Sequence, residues 1–217
     1  MHSVTQSAET PRDRRRAETG HALVRGARLL TADVGLHGFT VEEVCDAAGV
    51  SRRTFFNYFA SKEDAVLGIP LHRHDEEAIA AFLAGGDPRT PELSPTLLDD
   101  LATLALARWS VMDLVPDTVT ALFAAVDREP RLLPRMLEHG ALTEQADAVL
   151  IERREGLPSG DLRAAIAAQV VGTLGRSTAH AYLTGEPDRP FADLYHDHLR
   201  AARQLLRSQD LFPEGPE

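Results

Sequence analysis

From about Arg12 to Val34, apolar residues recur at Leu23, Val24, Ala27, Leu30 and Val34. That spacing gathers them on one face of a helix. The polar residues 1–11 ahead of it predict a disordered tail. "GLHGFT" (35–40) interrupts the pattern with glycines suited to a helix end. Thr40 is then a good N-cap for a short helix over 41–48, with Glu43 completing a capping box. Gly49 ends that helix, and Ser51 caps another over 52–58. After "FASK", Ser61 caps a fourth helix from Lys62, with a kink expected at Gly68 and Pro70 and continuation to about Leu83. A loop rich in proline and glycine, "AGGDPRTPELSP" (84–95), follows. Further helical patterns cover about 95–113, 116–128, 130–153, 161–184 and 190–208, three of them opening near Pro116, Pro130 and Pro190. No stretch alternates with period two. The chain therefore reads as all-α.

Composition narrows the class. The chain has 217 residues, 43% of them hydrophobic and 26% charged, as in folded globular proteins. No apolar run approaches the roughly 20 residues of a membrane span, and the N-terminus has no apolar segment of a secretory signal. The single cysteine, Cys45, allows no intrachain disulfide. These features predict a cytoplasmic protein with no membrane partner. Net charge is −10, which disfavours non-specific binding of nucleic acid by the whole chain. Its distribution is uneven, however. Residues 1–62 carry 9 Lys+Arg against 7 Asp+Glu, and residues 63–217 carry 14 against 26. A DNA-facing module joined to an acidic body fits that asymmetry.

The short helices make the case more specific. With Val41 as the first helical position, Val44 and Ala48 face inward, and Cys45 supplies the small side chain needed where two helices cross. Gly49 tolerates the left-handed backbone of the turn. Val50, Phe55 and Tyr58 pack the second helix. This is a helix-turn-helix pattern. Near the N-terminus of its second helix stand Arg52, Arg53 and Thr54, with Asn57 one turn on. A recognition helix reads bases from these positions, arginine pairing with guanine and asparagine with adenine. No acid lies between Arg52 and Lys62.

"FTVEEVCDAAGVSRRTFFNYFASKEDAV" resembles the DNA-binding domain of the TetR family of bacterial transcriptional regulators, over about residues 20–67. The Ala-Gly-Val-Ser turn, the following Thr54, the aromatic pair and the Phe-x-x-Lys-Glu run carry the likeness. It implies a DNA-binding domain over 12–66 and a ligand-binding and dimerisation domain over 67–217. It also implies phosphate contacts from Thr40, Tyr58 and Lys62. Lys62 is the only lysine beside 22 arginines, and an ammonium at a helix N-terminus makes a good phosphate site. The chain departs from the family pattern at Phe56, usually Tyr, so a hydroxyl contact is lost there. It departs again at Thr31, usually a large apolar residue.

For the body, the resemblance implies a small-molecule pocket. Trp109, Met112, Phe123, Met136, His139 and Tyr182 are the bulky candidates, with Arg108, Arg176 and His180 as polar anchors. Small residues Ala164, Ala168, Gly172, Gly175 and Ala179 line one side of the helix over 161–184. With Leu199 and Leu206 of the last helix they suggest a dimer interface; intrachain packing is the alternative. "RDRRR" (12–16) reads either as a basic arm for DNA or as a solvated tail. Cys45, among acids and facing inward, reads as core rather than redox sensor. His72/His74 and His196/His198 are spaced so that, on a helix, each pair diverges, so no metal site is expected. No nucleophile–base pair or glycine-rich phosphate loop suggests an enzyme, and no cofactor is expected. The resulting expectation is a homodimeric repressor on a palindromic operator, released by a small, mostly apolar effector. An activator, a ligand-independent regulator, or a helical carrier or enzyme are the alternatives.

Overall fold

The computed structural model of the chain describes residues 11–72, 75–90, 92–109, 115–184 and 189–207. Among them every regular element is helical: α1 (Pro11–Val34), α2 (Val41–Ala48), α3 (Arg52–Tyr58), α4 (Lys62–Leu67), α5 (Glu76–Ala84), α6 (Leu97–Trp109), α7 (Pro116–Arg128), α8 (Leu132–Glu155), α9 (Leu162–Thr184) and α10 (Phe191–Arg207). The expected tail lies almost wholly outside the described residues.

The helix ends form for the local reasons the residues suggest. At α2, the Thr40 hydroxyl accepts the Glu43 backbone N–H, while the Glu43 carboxylate accepts the Thr40 N–H at 2.7 Å. Gly49 closes this helix at φ +66°, where a side chain would be strained, and Val50 N–H reaches back to the Cys45 carbonyl at 3.0 Å. Ser51 caps α3 through Thr54 N–H, and Ser61 caps α4 through Asp64 N–H. The fourth helix does not continue with a kink, as expected from Gly68 and Pro70. It stops: Gly68 adopts φ +72°, Ile69 N–H closes onto the Asp64 carbonyl at 2.8 Å, and Pro70 has no N–H with which to resume.

The helices cluster into two compact units, residues 1–72 with 111–133, and 73–110 with 134–217. The first differs from the expected domain in one element. α7, anticipated in the body, packs along α1 and touches α4. Leu23, Val24, Ala27, Leu36, Val44, Phe55, Phe59 and Val66 fill the core of this unit together with Ala125 of α7. Arg28 is fully buried among them. Its Nε donates to the Val66 carbonyl at 2.9 Å and its Nη1 to the Thr118 carbonyl at 3.4 Å, tying α1 to the ends of α4 and α7. Thr31 is also buried without a polar cost, since its hydroxyl donates to the Ala27 carbonyl at 2.7 Å.

In the second unit α9 packs on α10 and α6, and α6 on α5. Phe82, Leu101, Leu104, Ile151, Ala164, Ala168, Val171, Tyr195 and Leu199 form the core. Arg108 lies inside between two carboxylates, its Nε 2.6 Å from Asp75 and its Nη1 2.5 Å from Asp147. Burial works against its charge, but Asp147 and then Asp75 outweigh that and raise its pKa. Such a pair of carboxylates is what makes an interior guanidinium tolerable.

Candidate nucleic-acid interface

Three short helices place the expected DNA-facing side chains. Because α3 is capped at Ser51 and its Phe55 is sunk in the core, the opposite face turns to solvent. Arg53 and Asn57, one turn apart, are exposed on that face, and neither has a partner among the described residues. Both keep their hydrogen-bonding groups available. Arg52 and Thr54 are differently placed. Arg52 Nη1 is 2.8 Å from Glu42 of α2, and its guanidinium lies over the exposed Phe56 ring at 5.6 Å. The Thr54 hydroxyl is 2.9 Å from Ser51 Oγ, within the cap itself.

The three residues expected at phosphates fall into two groups. Lys62 Nζ donates to the Phe39 carbonyl at 2.8 Å and stands 4.6 Å from that ring's centre. This brings it to the start of α2, next to Thr40. Glu43 completes the group. The Thr40 N–H first, and then its hydroxyl, hold the Glu43 carboxyl below its ordinary pKa, with a smaller contribution from the Lys62 charge. Tyr58 lies apart, against α1: its ring faces Gly20, where a β-carbon would stand 3.5 Å away, and the Arg16 guanidinium covers it at 5.5 Å. The basic run 12–16 is thus the helical first turns of α1 rather than an unstructured tail. Cys45 is buried, and burial pushes its thiol pKa up, with Glu42 and Asp46 adding to the effect.

Sequence reasoning missed Glu42 as the partner of Arg52 and Arg28 as a buried tie. The second was legible in part, because Arg28 follows Val24 by four residues and so falls on the inward stripe of α1.

Residues 23–67 match the family of bacterial regulatory proteins described as the tetR family. Over 188 residues the chain is 30% identical to the HTH-type transcriptional regulator TcmR of Streptomyces glaucescens, covering 82% of this chain and 79% of that protein. The chain belongs to the TetR family. It is a transcriptional regulator with an N-terminal helix-turn-helix and a larger helical C-terminal part. No helix among the described residues is long and apolar enough to cross a membrane.

Two groups of expected site residues in this regulator are not assembled as anticipated. Trp109 stacks on Phe191 at 4.9 Å, with Tyr182 edge-on to Phe191 and Tyr195 beside it. Gly175 makes room for that stack, since a β-carbon there would stand 2.9 Å from Trp109 Cζ2. Trp109 is therefore packed in an aromatic cluster, not presented to a cavity wall. Phe123 belongs to the other unit and is exposed, and Met136 is exposed on α8. Met112 lies outside the described residues. Arg176 is paired at the surface with Glu144 at 2.7 Å, His180 is exposed, and His139 is half-buried. Two shallow grooves, about 260 and 180 Å³, lie on α9 and between α8 and α9, and Trp109 lines neither.

The small-residue side of α9 is likewise turned inward. Ala168, Gly175 and Leu199 are buried within their own unit, and a β-carbon at Gly172 would stand 2.5 Å from Glu144. Ala179 is half-buried, and the side chain of Leu206 lies outside the described residues. These small residues let α9 approach its intrachain neighbours, so most of this side of α9 is taken up within its own unit.

Proposed function

We propose that this regulator is a repressor that binds a palindromic operator as a homodimer and is released by a small effector. The observation that carries the DNA reading is the face of α3. Arg53 and Asn57 stand exposed, with no partner among the described residues, on a short helix whose other side is anchored in the core. Thr40 and Lys62 gather at the start of α2, where an amide-rich helix end and an ammonium suit a phosphate. Arg53 and Asn57 specify sequence in this scheme; Thr40, Lys62 and Tyr58 position the duplex.

A homodimer surface is better sought on the outward side of α8 and α9. Met136, Leu137, Leu142 and Val149 are exposed on α8, and Leu162 and Ile166 on α9. Ala141, Gln145 and Ala148 of α8 line one groove with Ala165 and Gln169 of α9. Exposed apolar side chains gathered on neighbouring helices suit a surface covered in the working assembly. The response to a mostly apolar effector rests on family membership. Effector and operator then weaken each other's binding by one common factor.

Selection from random duplexes tests the core of this proposal. The wild-type protein should enrich an inverted repeat, and Arg53→Ala should weaken that site by about 1–3 kcal/mol while leaving random DNA nearly unaffected. Absence of enrichment would refute sequence-specific binding.

A further inference from the structure

The aromatic residues of α3 do not share one fate. Phe55 and, just past the helix, Phe59 are buried in the core, whereas Phe56 is 39% exposed on the same side of the helix as Arg52, one turn before it. An exposed phenyl ring on a seven-residue helix otherwise bearing Arg52, Arg53 and Asn57 outward is a poor solvated surface. It is also not loose. The buried Phe55 meets it edge-on at 5.3 Å between ring centres, and the Arg52 guanidinium covers it at 5.6 Å. Arg52 is in turn held by Glu42 at 2.8 Å. The ring is thus braced from the core on one side and by a tethered cation on another.

A phenyl group has no donor for a phosphate, so it cannot take the backbone contact that a tyrosine hydroxyl makes. In the major groove the apolar feature available to such a ring is the C5 methyl of thymine. We propose that Phe56 is a specificity-determining residue that reads a thymine methyl in each half-site, and that Glu42, through Arg52, positions it. Arg52 keeps Nε and Nη2 clear of Glu42, so the same unit offers donors for an adjacent base. This inference rests on the reading of the chain as a sequence-specific DNA binder.

The test uses the full chain and the duplex it enriches from a random pool. Each thymine is replaced in turn by deoxyuridine, which removes one methyl and leaves base pairing intact. Wild-type affinity should fall at one thymine per half-site by about fourfold, the worth of one buried methyl. In Phe56→Ala the same replacement should have no effect, and Phe56→Tyr, which keeps the ring, should retain the sensitivity. Glu42→Gln should reduce it, because Arg52 is released. If every replacement leaves wild-type binding unchanged, or if Phe56→Ala stays as sensitive as wild type, the proposal is wrong while sequence-specific binding stands. If the wild-type protein enriches no sequence, both fall together. Circular dichroism of the variants, at a position already open to solvent, checks that each is folded.

Discussion

Replacing Lys62 by methionine separates the contact its ammonium group makes within the protein from the phosphate contact proposed for it. In the free protein Nζ donates to the Phe39 carbonyl at 2.8 Å and lies 4.6 Å from the Phe39 ring. A charged donor to a carbonyl contributes about 1.5–3 kcal/mol when well buried, and less here because Lys62 is half-exposed. A cation over a ring at such a site adds about 0.5–1 kcal/mol. Methionine keeps much of the aliphatic stem, so Lys62→Met should lower stability by about 1–2 kcal/mol, read by urea unfolding. An ammonium has three donors, and only one is used by Phe39. If another meets a phosphate, the slope of log affinity against log salt should flatten by about 1 per half-site, or about 2 for a homodimer on two half-sites. Fluorescence anisotropy with a labelled duplex between about 50 and 200 mM salt measures this. Base preference should not change. A loss of stability with an unaltered salt slope would refute the phosphate role and leave Lys62 as a tether between α4 and the segment before α2.

Two further outcomes test the remaining geometry. Gly175→Val should force the Trp109–Phe191 stack to shift, because the new β-carbon starts 2.9 Å from Trp109 Cζ2; a cost of about 1–3 kcal/mol and a changed tryptophan emission are expected, with no change of oligomeric state by light scattering, and a shift to monomer would restore this side of α9 to the dimer interface. Glu43 has a lowered folded pKa, so its cap contribution is complete above its ordinary value of 4.5 and is lost as pH falls through the lower folded value. The stability gap between wild type and Glu43→Gln should therefore close in acid, and a gap that stays constant to low pH would contradict the carboxylate's role in the cap.

Much of this protein was written in short-range signals. Thr40, Glu43, Gly49, Ser51 and Ser61 act on backbone groups within a few residues of themselves, so the boundaries of α2, α3 and the start of α4 follow from the chain alone. The apolar spacing of α1 and the prolines at helix starts are equally local. The motif from Phe39 to Val66 was enough to place α3 as the second helix of the pair and to nominate Arg53 and Asn57 on it. Gly68 was ambiguous, since a glycine before a proline suits both a kinked helix and a finished one. The carbonyl of Asp64, taken by Ile69 N–H, settled it.

What the tertiary structure alone decided is which neighbour each side chain meets. The small residues of α9 permit close approach, but a pattern of missing side-chain volume cannot say to what. Glu144 and Trp109 of the same chain fill the space beside Gly172 and Gly175, so the stripe faces inward. Trp109 and Phe123 looked equivalent as bulky residues, yet they fall in separate compact units. Arg52 and Arg53 are adjacent in sequence and point to different fates. A helix turns each residue by about 100°, which carries Arg52 to Glu42 on α2 and leaves Arg53 exposed, with no partner among the described residues. Helical pattern is a property of spacing along the chain, while pairing depends on crossings between helices far apart in sequence, and only the folded packing fixes those.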